Sequence, residues 1–309
     1  MNKDFPLLAF PERLTIEITN TCNLACIMCP RHNAENGTGF MQLDLYRNII
    51  EEARHHLSVT LVPFFRGEPL LHPDLFEMIE IASKSGLGPI QLATNATLLN
   101  EDTSTIIIKS RLDSLSFSID IDKKNYKSTH VGGDYEKVIN NIDNFIAIKK
   151  TMNTNKPEIQ VSTVETTENR HGLHEFAEYW LEKVDRVRIY PAHSTNGAFG
   201  SLESSNKYPD FEQRLPCKKV FNDIVIYWDG TVAVCNHDWN RREYIGNIID
   251  NSIQEVWSGK KYNEIRKRHI KGKLENDQTC KECDHWKMYY IKEGSIGKLY
   301  EKQNKALLH

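Results

Sequence analysis

Between about residues 12 and 195 the chain alternates short runs rich in β-branched residues with amphipathic stretches, and few folds accommodate that rhythm. "RLTIEIT" (13–19) reads as a strand, and "LDLYRNIIEEARHH" (43–56) follows with a helical pattern. Further strand patterns are "SVTLVPFF" (58–65), "PIQLAT" (89–94), "SLSFSID" (114–120), "EIQVSTVE" (158–165) and "RVRIYPA" (186–192). Helical patterns separate them at 74–86, 101–110, 135–150 and 172–183. Six strands, the first five each followed by a helix, predict a parallel sheet with helical crossovers. Six units fall short of a closed eight-fold barrel. The expected fold class is therefore α/β, built as a partial (β/α)6 barrel or an open sheet.

The rhythm stops at 194–216, "STNGAFGSLESSNKYPDFEQRLP", whose Ser, Asn and Gly content reads as a linker. A different grammar follows. "DIVIYWDGTVAVC" (223–235) places two strands around Asp229–Gly230, a hairpin signal. "SIQEVWSGKKYNEIRKRHIKG" (252–272) reads as a helix broken near Gly259, and "CKEC" (280–283) precedes a polar tail. The expected division is a barrel over residues 1–200 and a small hairpin-plus-helix domain with its tail over 201–309. A formal net charge of −3 over 309 residues gives no broad basic surface, so nucleic acid is not expected as a partner. No run approaches the ~18 apolar residues of a membrane span, and "MNKDFPLLAFPERL" lacks the long apolar core of a signal peptide. A cytoplasmic protein is expected.

Seven cysteines is an odd number, and they are clustered, which argues against a secreted disulfide framework. Cys22, Cys26 and Cys29 lie within "TCNLACIMCPR" (21–31), just after the first strand. Thiolates bind soft metals and iron–sulfur clusters. Three of them leave one metal position open, at the sheet edge where α/β folds place active sites. The rival reading is a zinc site that borrows a distant fourth ligand. Cys217, Cys235, Cys280 and Cys283 could fully ligate a second cluster or a zinc ion.

At these gaps the triplet resembles the signature of the radical S-adenosylmethionine (SAM) enzymes. That family usually has an aromatic residue before the third cysteine; Met28 stands there in this chain and can pack on an adenine face. "FRGEPLLHP" (65–73) is similar to the family's Gly-Gly-Glu-Pro turn, with Arg66 in place of the first glycine. The resemblance implies that Gly67 lets backbone approach SAM and that Glu68 faces its ammonium, and it leaves Arg66 free to face the substrate. "ATNAT" (93–97) resembles the family's Thr-Asn-Gly stretch, which places Asn95 among the SAM-binding candidates. In "SFSID" (116–120) the alternation puts Ser118 and Asp120 on one face; by resemblance they meet the SAM ribose or carboxylate. Ser162 on the fifth strand is a further candidate.

"DGTVAVC", "IGNI" (245–248), "SIQEVW" (252–257) and the final Cys-x-x-Cys look like the SPASM/twitch extension of the same superfamily. Cysteine spacings of 18, 45 and 3 resemble those of the 2-deoxy-scyllo-inosamine dehydrogenase family, whose twitch form carries one auxiliary cluster. The resemblance implies two [4Fe-4S] clusters, SAM as cofactor and a flavodoxin or ferredoxin as reductant. It implies an oxidoreductase that takes hydrogen from a C–H bond of a sugar- or cyclitol-like small molecule. Three plus four ligands use all seven cysteines and leave no thiol to return a hydrogen atom, which disfavours a cysteine-dependent epimerase. An auxiliary cluster could instead take the substrate's second electron. A general base is also needed, and "CNHDW" offers Asp238 and His237. His193 and Asn196 are candidate substrate contacts. The alternatives are a peptide-modifying maturation enzyme, a radical epimerase in which a tyrosine stands in for the thiol, a zinc-stabilised binding protein and a simple electron carrier.

Overall fold

The computed structural model describes residues 5–33, 35–56, 58–191, 210–281, 283–291 and 298–302. Its first half follows the expected alternation closely. β1 (Arg13–Ile16), β2 (Thr60–Val62), β3 (Gln91–Thr94), β4 (Ser114–Ser118), β5 (Glu158–Glu165) and β6 (Arg186–Pro191) are the six strands. Between them lie α1 (Leu43–Ala53), α2 (Leu75–Lys84), α3 (Glu101–Lys109), α4 (Lys123–Thr129), α5 (Tyr135–Thr151) and α6 (Leu173–Lys183). α4 has no counterpart in the sequence pattern. It is a seven-residue turn of helix begun by the Asp122 side chain, which accepts the Asn125 N–H at 2.8 Å.

The strands form two sheets, ordered β3-β4-β5-β6 with a late strand β10 (Lys298–Glu301) beyond β6, and β2-β1 extended by three strands of the second half. A single parallel bridge, Leu61 to Ile90, joins β2 to β3 and makes one arc of the six. The inner and outer faces of the arc differ in kind. On β4, Leu115 and Phe117 are fully buried toward the helices, and the Phe117 ring meets Phe145 of α5 edge-on at 5.4 Å. Ser114, Ser116 and Ser118 alternate onto the other, inner face.

The second half contains α7 (Lys219–Asn222), β7 (Asp223–Ile226), β8 (Thr231–Ala233), β9 (Tyr244–Asn247), α8 (Ile253–Ser258) and α9 (Lys260–Ile270). The helix break falls at Gly259, as the sequence suggests. The hairpin pairs more widely than its pattern implies. β7 runs parallel to β1 from Arg13/Asp223 to Ile16/Ile226, so it covers one free edge of the arc. β10, within the stretch read as a polar tail, covers the other edge by antiparallel pairing with β6. A turn motif announces which strands are joined by a loop, but lateral neighbours far apart in sequence leave no local signal. Among the described residues no strand pairing closes the arc on itself, and no helix is long and apolar enough to cross a membrane.

Candidate active site

The C-terminal ends of the strands surround a cavity of about 360 Å3. Cys22, Cys26, Cys29, Met28, Arg66, Gly67, Glu68, Asn95, Ser118, Asp120 and Ser162 all line it. The expected SAM-binding candidates, drawn from five separate chain segments, thus converge on one space. Gly67 has φ +75°, and a Cβ there would lie 2.6 Å from the carbonyl oxygens of both Thr19 and Thr21. Only glycine lets the second strand end press on the backbone that leads into the cysteine loop. The Glu68 N–H donates to the Thr21 oxygen at 2.8 Å and locks this contact.

Both carboxylates at the cavity wall already hold partners. Glu68 accepts the Leu70 N–H at 3.1 Å, the Thr94 hydroxyl at 2.7 Å and the Asn95 N–H at 2.8 Å, so it ties the ends of β2 and β3 together. Asp120 accepts the Ile121 N–H, the Asn169 amide and the Thr129 hydroxyl, at 2.8, 2.9 and 2.9 Å. The Thr129 hydroxyl also contacts His130 Nδ1 at 2.8 Å, and His130 lines the cavity. Burial pulls the His130 imidazole down to about 4. Sequence reading missed His130, Thr163 and Tyr190, which also line the cavity. His130 follows a helix too short for periodicity to reveal, and strand alternation names a face without saying which residues reach a ligand.

The cysteine loop is pinned to the end of α4 and the residues after it by Ile27 N–H to Thr129 O (2.9 Å) and Ala25 N–H to Val131 O (2.8 Å). Burial, reinforced by the neighbouring thiols, pushes Cys26 up to about 12; burial raises Cys22 and Cys29 as well. The other four thiols also sit together. Burial raises Cys217, Cys235, Cys280 and Cys283, and at Cys235, Cys280 and Cys283 neighbouring thiols of the group add to it. Opposing this, sulfurs accept backbone N–H groups two residues on: Leu24 to Cys22 (3.5 Å), His237 to Cys235 (3.3 Å), Arg31 to Cys29, Lys219 to Cys217 and His285 to Cys283. Such bonds favour thiolates, and a metal cation completes what burial withholds.

Among the described residues no three Cys, His, Asp or Glu side chains converge on a single metal ion. Three soft thiols at the cavity and four gathered from three segments fit iron–sulfur clusters by the chemistry of the donor set; Cys22, Cys26 and Cys29 would hold one, and Cys217, Cys235, Cys280 and Cys283 the other.

Asp238 and His237 lie with the auxiliary thiols and are not among the residues lining the cavity. Asp238 is 1% exposed, and its carboxylate accepts the Arg242 and Glu243 N–H groups at 2.9 and 3.0 Å. The His237 ring packs 4.0 Å from that of His285. Arg66 lines the cavity, but two of its guanidinium nitrogens donate away from it, to the Trp239 carbonyl (2.7 Å) and the Tyr227 hydroxyl (3.1 Å). His193 and Asn196 fall outside the described residues.

Two thiol sites, one of them at a cavity ringed by strand ends, define an iron–sulfur enzyme with a small-molecule pocket. The chain belongs to the radical SAM superfamily: the pattern of that superfamily matches residues 16–155, and that of the SPASM iron–sulfur cluster-binding domain matches 217–284. SAM and iron–sulfur clusters are accordingly its cofactors. It is 27% identical over 294 residues to a tungsten-containing aldehyde ferredoxin oxidoreductase cofactor-modifying protein of Pyrococcus furiosus, covering 82% of each chain. Its fold is similar to that of BtrN in complex with AdoMet and 2-DOIA, with TM-score 0.61 and 17% identity, covering 88% of this chain and 92% of that one. It is also similar to Streptococcus suis SuiB bound to precursor peptide SuiA, with TM-score 0.70 and 16% identity, covering 93% and 74%.

Proposed function

We propose that the protein is a radical SAM dehydrogenase that oxidises a hydroxyl-bearing carbon of a sugar- or cyclitol-like small molecule. When bound, the SAM-ligated cluster supplies the 5'-deoxyadenosyl radical that removes a substrate hydrogen. The observation that carries the reading is the spatial division of the cysteines. All seven fall into two groups, three at the cavity and four apart from it, so no thiol is left to return a hydrogen atom. The four-cysteine site would then accept the electron left on the substrate. The strand-end groups orient SAM: Gly67 gives backbone access, Ser118 and Ser162 offer hydroxyls, and Glu68 and Asp120 hold the wall in shape. The hydroxyl proton would pass to a base that reaches the cavity; Asp238 and His237, beside Cys235, stand outside its lining. A flavodoxin or ferredoxin would deliver the first electron.

A peptide substrate is the second reading, favoured by the fold shared with SuiB, whose structure holds a precursor peptide. The test is anaerobic. Protein reconstituted with iron and sulfide is reduced with dithionite, given SAM, and incubated with a polyol panel and, separately, with short peptides. Ketone formation from a polyol, one per 5'-deoxyadenosine, supports the dehydrogenase. Turnover of peptides alone overturns it in favour of the second reading.

A further inference from the structure

The ends of β2, β1 and β7, which are neighbours in the sheet, meet at a cluster of buried charge that no motif announces. Glu17, just past β1, is 0% exposed, and Arg66, just past β2, is 5% exposed. Arg66 Nε lies 3.7 Å from one Glu17 oxygen, and Arg241 Nη2 lies 3.7 Å from the other. Arg241 is also paired with Asp229 in the hairpin turn.

The Arg66 guanidinium is held among three aromatic rings. It lies 4.2 Å from the Trp239 ring centroid, 4.7 Å from Phe65 and 5.1 Å from Tyr227. It donates to the Trp239 carbonyl, and the Tyr227 hydroxyl that it also contacts donates in turn to the Asp238 carbonyl at 2.8 Å. Arg241 takes φ 55°, a left-handed backbone that a non-glycine residue holds only when its surroundings fix it. Of these groups Asp238, Trp239 and Arg241 lie on the loop that follows Cys235, while Phe65 precedes Arg66 and Tyr227 follows β7. At its other end Arg66 adjoins Gly67, which presses on the backbone entering the cysteine loop. One side chain thus spans from the cavity wall to the auxiliary loop.

A buried ion cluster adds little net stability, since desolvation offsets the attraction, but removing one member leaves the rest uncompensated and frees the geometry they fixed. We propose that Arg66, seated on Glu17, is a positioning residue that holds the 236–241 loop, and with it the auxiliary site, in register with the SAM cavity. The role rests on the proposal that the auxiliary site acts with the cavity. It differs from a substrate contact, because the two nitrogens of Arg66 that form hydrogen bonds donate to Trp239 of that loop and to Tyr227, neither of which lines the cavity.

The experiment uses the full chain, reconstituted with iron and sulfide, in a background where Cys22, Cys26 and Cys29 are alanine so that only the auxiliary cluster gives a signal. Arg66→Met should speed amide hydrogen exchange over 236–243 by at least tenfold and alter the electron paramagnetic resonance line shape of the reduced cluster. Exchange over α5 should stay at its starting value, which a general loss of stability would not allow. Arg66→Lys, which keeps the charge and loses the planar fork, should fall between the two. Wild-type exchange and an unchanged line shape in Arg66→Met would overturn the proposal. If that variant does not accumulate, Glu17→Gln is read the same way: faster loop exchange supports the proposal, and unchanged exchange rejects it. Neither measurement depends on substrate turnover, so failure of the dehydrogenase reading would be seen separately.

Discussion

Cys22, Cys26 and Cys29 come from one loop of the chain and are only half-buried, whereas Cys217, Cys235, Cys280 and Cys283 come from three separate places, three of the four being buried. Both sites meet their sulfurs with backbone N–H groups from two residues on, so their local chemistry is alike. They differ in access. The first opens onto a cavity of about 360 Å3 that the strand ends surround. The second is closed in by protein, with Cys217 N–H donating to His269 Nδ1 at 3.3 Å and Asp277 accepting the Cys280 N–H at 2.7 Å. An incomplete ligand set on a half-buried loop that opens onto a cavity suits a cluster that binds something else; a complete, more deeply buried set suits one that only passes electrons.

The largest effect should come from breaking the open site. Cys29→Ala should bring 5'-deoxyadenosine formation from SAM to background while the auxiliary cluster still gives its signal. SAM cleavage at the normal rate would dissolve the assignment of the two sites. Next is the closed site: Cys283→Ala should reduce iron from about eight to about four per chain. It should leave SAM cleavage running without substrate oxidation. Full product formation in that variant would remove the electron-acceptor role.

A subtler substitution leaves both clusters in place. Gly67→Ala forces a residue with a side chain to adopt φ +75°, at about 1–3 kcal/mol. It also drives Cβ into the Thr19 and Thr21 carbonyls. SAM affinity, measured by calorimetry on the reconstituted protein, should fall by about tenfold or more, with auxiliary iron unchanged. Wild-type affinity would mean that the strand end and the cysteine loop are not jointly set.

The contrast between the sites also explains what could be read in advance. The open site is local: three cysteines in one loop, a Gly-Glu-Pro turn and strand ends in order. Each carries its signal within a few residues. The six-strand alternation is likewise local, because helix and strand periods are written in short windows. The closed site was legible as a ligand count but not as a place. β7 lies beside β1 through contacts spanning about 210 residues, and β10 docks on β6 without any pattern of its own. The Arg66–Glu17–Arg241 cluster is the clearest case. Glu17 sits in a strand pattern as an ordinary polar position, and only the folded arrangement brings two arginines to it.

The smallest expected effect concerns that junction and can be read from pH alone. Burial pushes the Glu17 carboxyl up to about 7, against the lowering influence of Arg66 and Arg241. The folded chain thus holds a proton there between the ordinary carboxylate range and pH 7, where the unfolded chain has lost it. Over that window stability falls as pH rises, by about 1.4 kcal/mol per pH unit for one group, and levels off above pH 7. Glu17→Gln cannot titrate. The difference in denaturation midpoint between wild type and Glu17→Gln, measured anaerobically from pH 5.5 to 8, should therefore move against the wild type as pH rises and then flatten. A constant difference would mean that the carboxylate stays ionised throughout and that the two arginines outweigh its burial. The junction would then act as a permanently charged clamp. In either case the charge at the junction is set by Glu17, Arg66 and Arg241, none of them a cysteine of either site.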